Sequence, residues 1–278
     1  MRRLALGLAA VVAAVSAVVA SQATADEAPL PTGPSIVGIH APCPVGTPWP
    51  GKDVPISELK DRFTETFGLK LTGPYLTEEY REQFRILWES LDALNCTTFL
   101  PTIAEKNGQI GVNAGPIRGY AWGDWSLTKD GHVTFDFRKW QEVIDGDDPG
   151  RLSRLIIHEF THAWNSDRFG NPRYWQDFTS LTKKEGHFSD YAGSRDTEII
   201  AEVVGYYVAR CASDNPYDSG KHFAYYQWVK KNVFDGREFG PEPGTKARCD
   251  VTAEDIAAAT PASEPPTQPA WIEALSGE

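Results

Sequence analysis

His158, Glu159 and His162 follow one another in the order His-Glu-x-x-His within "RLIIHEFTHAWN". On a helix, residues four apart share a face, so the two imidazoles can aim at one metal ion. Glu159 sits one step of about 100° further round the helix. From there its carboxylate borders the ligand face and can reach a water held beside the ion. These residue types at this spacing point to a zinc-dependent hydrolase whose general base is the glutamate. Ile156, Phe160 and Ala163 give the same helix a separate apolar face to bury. Two histidines on an ordinary helix, with no metal, are the competing explanation.

Catalytic zinc takes three protein ligands and leaves one position open. The pattern in which Gly and then His follow the motif is excluded, because Asn165 and Arg168 occupy those places. Met1 is also the sole methionine, so no Met-turn exists. The other common solution is a carboxylate from a following helix. "TEIIAE" places Glu198 and Glu202 four apart on one face of an apolar segment. One could ligate while the other accepts a ring N–H from a ligand histidine; two solvated glutamates are the plain alternative. His187, Asp190 and Asp167 are weaker candidates for the third ligand.

"HEFTH" followed by "FSDYAGSRDTEIIAE" resembles the catalytic domain of anthrax lethal factor and related secreted zinc peptidases. That family carries its motif on one helix. On the next it has a tyrosine followed seven positions later by Glu-aromatic-aromatic-Ala-Glu. The resemblance implies that His158, His162 and Glu198 hold Zn2+, that Glu159 is the general base and that Tyr191 is an active-site tyrosine. It implies an outer role for Glu202, behind the ligands. Ile199 and Ile200 replace the usual aromatics, and Thr161 stands where glycine is frequent. The likeness covers about residues 150–210, so substrate preference does not transfer with it.

Several elements must position these groups. "PISELKDRFTETFG" spaces Leu59, Phe63 and Phe67 four apart, a helix ended by Gly68. "TEEYREQFRILWESLDALN" carries the stripe Tyr80, Phe84, Leu87, Leu91 and Leu94. "CTTFLPTI" reads as a strand. "YAWGDWSLTKDGHVTFDFRKW" reads as a hairpin turning at Asp130-Gly131, with Val133, Phe135 and Phe137 alternating beyond it. The motif helix is expected from about Gly150 to Asn165. Helical patterns follow in "RYWQDFTSLTKKEG", "SRDTEIIAEVVGYYVARC" and "GKHFAYYQWVKKNVF". Strands first and helices later make an α+β chain. With the resemblance, the expected fold is a zincin-like metallopeptidase domain. It has a small mixed sheet with an edge strand, the His-Glu-x-x-His helix and a following glutamate-bearing helix.

Arg2 and Arg3, the apolar run Leu4 to Ala20, and Ala23-Thr24-Ala25 before Asp26 read as a secretory signal peptide over residues 1–25. Beyond it come an extended Pro- and Gly-rich arm over 26–50, the catalytic domain over 51–257 and a Pro- and Ala-rich tail over 258–278. No later segment could span a membrane. The formal charge of −11 falls to about −13 without Arg2 and Arg3, which argues against nucleic acid as a partner. Cys43, Cys96, Cys211 and Cys249 form an even set in an exported chain, so two disulfides are expected. The favoured pairing is Cys43–Cys96 with Cys211–Cys249, each closing a moderate loop within one half of the chain.

The residues together predict a secreted, monomeric zinc endopeptidase acting on a peptide or protein substrate. The competing functions are a zincin-fold binding or toxin-accessory protein without catalysis, and a zinc hydrolase of a non-peptide amide. Trp122, Trp125 and Phe135 are candidates to line a substrate groove, with core packing as the alternative.

Overall fold

The computed structural model describes residues 38–43, 46–146, 148–166 and 176–249. The signal segment, the start of the arm, Asp167, Arg168, residues 173–175 of one helical pattern and the C-terminal tail lie outside the described residues.

Eight α-helices and four short strands lie along the described chain, with three helices among or before the strands and five after them. The strands β1 (Lys70–Thr72), β2 (Gly111–Ala114), β3 (Gly123–Trp125) and β4 (His132–Phe135) form one mixed sheet in the order β1-β2-β4-β3. β1, β2 and β4 run parallel, and β3 is an antiparallel edge paired only with β4. The α+β class and the hairpin are therefore present. The expected succession of strands before helices is not, because helices are threaded between the strands.

α1 (Ile56–Phe67) buries Leu59, Phe63 and Phe67, and Gly68 ends it at φ 68° with its N–H on the Thr64 carbonyl. That left-handed stop suits glycine, which has no Cβ to clash. α2 (Arg81–Asp92) buries Phe84, Leu87 and Leu91 as its stripe requires. α3 (Phe99–Asn107) corrects the strand expected at "CTTFLPTI". Pro101 falls in its first turn, where a backbone N–H has no intrahelical acceptor to lose. Phe99 and Ile103, four apart, are both buried, and Phe99 stacks on Trp164 at 6.4 Å. Local β propensity thus yields to packing of a helical face.

The alternation beyond the Asp130-Gly131 turn stops two residues early. β4 ends at Phe135, and Phe137 opens α4 (Phe137–Asp145). Phe137, Trp140 and Val143, three apart, are all buried there, which is helical spacing. Asp136 between the two elements is fully buried, and its Oδ2 accepts the Ile117 N–H at 3.1 Å. β1 is too short to show a pattern, and β2 is buried at every position, so neither alternates in the sequence.

α5 (Pro149–Asn165) packs against β3, β4 and, most extensively, α7 (Asp196–Val208). Asp148 caps α5 by accepting the Arg151 N–H, and Ser166 closes it in a left-handed conformation at φ 54°. α6 (Gln176–Glu185) and α8 (Phe223–Asn232) lie against α7.

The described part of the arm is built into the fold. The Gly38 carbonyl accepts the Cys211 N–H at 3.0 Å, and Ala41 donates to the Phe239 carbonyl at 3.1 Å. Trp49 packs edge-on to Trp88, whose Nε1 donates to the Thr47 carbonyl at 2.7 Å. Both expected disulfides are present, Cys43–Cys96 and Cys211–Cys249, and the chain has no free cysteine. The first ties the arm to the α2–α3 connection. Replacing Cys43 and Cys96 together by serine is expected to cost about 2–4 kcal/mol of stability. Denaturant unfolding of the variant against the parent would measure it, and equal midpoints would refute the tie.

Candidate metal centre

His158 and His162 lie one turn apart on α5, and Glu198 lies in the first turn of α7. α7 comes close to α5 because residue 205 is glycine. A Cβ there would stand 2.9 Å from the Arg154 carbonyl oxygen and 3.7 Å from the His158 Cβ. On α5, Ile156, Ile157, Phe160 and Ala163 are all fully buried, so the histidine edge is held at a fixed angle to its neighbours.

The three candidate ligands meet. Nε2 of His158 is 3.2 Å from Nε2 of His162. Glu198 Oε2 lies 3.2 Å from the first and 3.3 Å from the second. A tetrahedral ion bonded at about 2.0–2.1 Å separates its ligand atoms by about 3.3–3.4 Å. The triangle is therefore spaced as three ligands of a small four-coordinate ion would be. Calcium, which takes six or more oxygens at about 2.3–2.6 Å, fits neither the donor types nor the spacing. His158, His162 and Glu198 are each at most 5% exposed. They are the one such cluster of metal-ligating side chains among the described residues.

The electrostatics favour the same ligand state. Burial pulls the His158 pKa down to about 4, and the Glu198 hydrogen bond offsets only part of that. The ring is neutral at physiological pH, as a ligand must be. Burial pushes Glu198 upward, but hydrogen bonds from His158 and His162 outweigh it and hold the carboxyl well below its ordinary value. The cluster thus offers a buried anion beside a neutral imidazole.

Glu159 is buried next to the edge strand. A Cβ on Gly123 would fall 2.6 Å from the Glu159 Cγ, so only glycine lets β3 approach this carboxylate. The backbone of β3 bonds to β4 through Trp122 O with Asp136 N and through Ser126 N with His132 O. By alternation, the N–H and C=O of Gly123 point away from β4, along the open edge.

Tyr191 is 61% exposed, with its ring 6.2 Å from that of His158. Burial of its hydroxyl, with the charges of Glu198 and Glu159 nearby, raises its pKa above the ordinary tyrosine value. The group therefore stays protonated and able to donate. Glu202, one turn beyond Glu198, receives a hydrogen bond from Ser189 Oγ and lies 3.7 Å from Arg154 Nη1. Nδ1 of His158 is buried with no hydrogen-bond partner, so Glu202 does not orient that ring.

His187 is exposed against Gly193, and Asp190 is exposed, so neither joins the cluster. Trp125 and Phe135 are fully buried in the core and do not line a groove. Trp122 is half-buried under the Arg151 guanidinium, 4.8 Å from the ring centre. The sequence reading missed Gly123, Gly205, Ser189 and Arg154. A glycine inside the aromatic "WGDW" strand was the available signal for the first of these.

No protein-family model, curated protein or solved structure matches the chain. The geometry defines a class at the level of an α+β domain with a buried His-His-Glu group that could hold a metal ion.

Two outcomes are expected. Glu198→Ala abolishes any tight binding of a divalent metal ion, read by metal analysis after dialysis; full retention would remove Glu198 from the ligand set. Gly123→Ala leaves any bound metal in place but displaces Glu159, so any hydrolytic turnover falls at least about tenfold. Unchanged turnover would show that β3 and Glu159 are not in the contact described.

Proposed function

We propose that the chain is a secreted zinc-dependent endopeptidase of the gluzincin type. The observation that carries this reading is the buried triangle of His158, His162 and Glu198 with Glu159 beside it at the sheet edge. Two nitrogens and one carboxylate oxygen suit zinc in a four-coordinate site with one open position. The motif likeness to the lethal factor catalytic domain supports the same reading, and the triangle includes the glutamate which that likeness implies.

Bound zinc would supply Lewis acidity, activating water and polarising the scissile carbonyl. Glu159 accepts the proton of the attacking water and delivers it to the departing amine. Its burial beside Gly123 keeps the carboxylate close to the rim strand, where an extended peptide can pair with the open Gly123 edge. That pairing would hold the scissile bond level with the base. Tyr191, which remains protonated, donates to the oxyanion that develops on the carbonyl oxygen.

Secretion rests on the signal-like residues 1–25. Two disulfides, and the lack of any described helix long and apolar enough to cross a membrane, agree with an oxidising destination outside the cell.

Glu159→Gln tests the reading directly, since it keeps shape and hydrogen-bonding oxygen while removing the basic group. Zinc content should stay near that of the parent, and cleavage of a generic protein substrate should fall at least about a hundredfold. Cleavage by the parent should also stop with a chelator and return with zinc. A variant as fast as the parent would end the peptidase reading in favour of a zinc-holding binding protein.

A further inference from the structure

The turn that carries Tyr191 is fixed on both sides of that residue. Before it, Phe188 is wedged among the rings of His222, Tyr217, Tyr206 and Tyr225, with centroids 4.8–5.8 Å away. Next comes Ser189, whose Oγ lies 3.0 and 3.1 Å from the two Glu202 oxygens and accepts the Ala192 N–H at 3.1 Å. A serine hydroxyl has one proton and free lone pairs. The proton goes to the carboxylate, and the amide of the residue after Tyr191 binds a lone pair. After the tyrosine, Ala192 is fully buried and Gly193 donates to the Ser189 carbonyl at 3.0 Å. Glu202 is itself held at the helix crossing by Arg154 of α5, at 3.7 Å, while that guanidinium lies 4.8 Å over the Tyr206 ring. Arg154 is one turn before His158, and Glu202 one turn after Glu198. The ion pair therefore sits one turn from the ligand triangle on both helices.

We infer that Glu202 and Ser189 are positioning residues for Tyr191, a latch tying its turn to the α5–α7 crossing, and that Glu202 does not serve His158, whose Nδ1 has no hydrogen-bond partner. The inference rests on the peptidase reading for its catalytic meaning, and on the hydrogen bonds for the latch itself. A surface turn carrying a side chain exposed at 61% would otherwise sample many backbone conformations. Fixing the backbone on both flanks leaves the ring mainly its two side-chain torsions, so its hydroxyl is delivered to the cluster with little ordering left to do.

The test uses the full zinc-loaded chain. Ser189→Ala is expected to lower kcat about tenfold with KM and zinc affinity within about twofold of the parent, and Ser189→Thr, which keeps the hydroxyl, is expected to restore it. In a Tyr191→Phe background, Ser189→Ala should cost nothing further, because the two act through one group. A readout independent of turnover is fluorine NMR of chain labelled with 3-fluorotyrosine, where the resonance lost in Tyr191→Phe identifies residue 191. That line should move toward the solvent-exposed position in Ser189→Ala and return in Ser189→Thr. An unmoved resonance, or an equal loss of kcat with and without the Tyr191 hydroxyl, would overturn the latch. So would a ten- to hundredfold loss of zinc affinity in Glu202→Gln, the usual effect of removing a ligand's hydrogen-bond partner. If the parent has no peptidase activity yet the resonance shifts as expected, the peptidase reading falls and the latch stands.

Discussion

The structure is organised around a buried carboxylate that needs a positive charge. Glu198 is 5% exposed and lies within 3.3 Å of two imidazole nitrogens, one of them on a ring that burial keeps neutral. Moving an ionised carboxylate out of water costs several kcal/mol unless it is paired and hydrogen-bonded. Two neutral imidazoles offset part of that cost, whereas a divalent cation at the centre of the triangle would offset far more. Three ligand atoms so close together, and so dry, are more economically arranged as a coordination site than as a hydrogen-bonded group.

Everything near the triangle serves the meeting of α5 and α7. Gly205 removes the side chain that would hold them apart, and the apolar face Ile156, Phe160 and Ala163 anchors α5 from behind. The Arg154–Glu202 pair closes the crossing one turn away. Gly123 repeats the device at the sheet, where a missing Cβ lets the edge strand lie against Glu159. Two glycines at close approaches thus bring a helix and a strand onto the motif helix from different sides. Each would be destabilising in a free helix or strand, so the contacts they allow must compensate.

A short sheet suffices because the helices supply most of the core. Strands of three or four residues have little stability alone. β3 and β4 are held by the face of α5 and by Asp124 and Asp136, buried acids whose hydrogen bonds organise the adjoining loops. The same arrangement leaves β3 an edge, with only one neighbour in the sheet.

Much of this was legible in the sequence because it is local. The His158–His162 spacing, the apolar face of α5, the acidic pair on α7, the Gly68 stop and the β3–β4 turn each depend on residues within one or two turns of one another, and local periodicity determines them. The cysteine pairing was legible for a related reason, since each bond closes a loop within one half of the chain. The α3 segment was misread because a β-branched run and a helical face compete locally, and the ring of Trp164 on α5, distant in sequence, decides between them. Periodicity alone could not decide which acid meets the histidines; the motif resemblance implied Glu198, and the tertiary structure supplies the physical reason. Glu198 and Glu202 share a face of one helix, so periodicity treats them alike. The depth at which α7 slides across α5, set by Gly205 and by packing far along the chain, puts one carboxylate at the imidazoles and the other, a turn away, on Ser189 and Arg154.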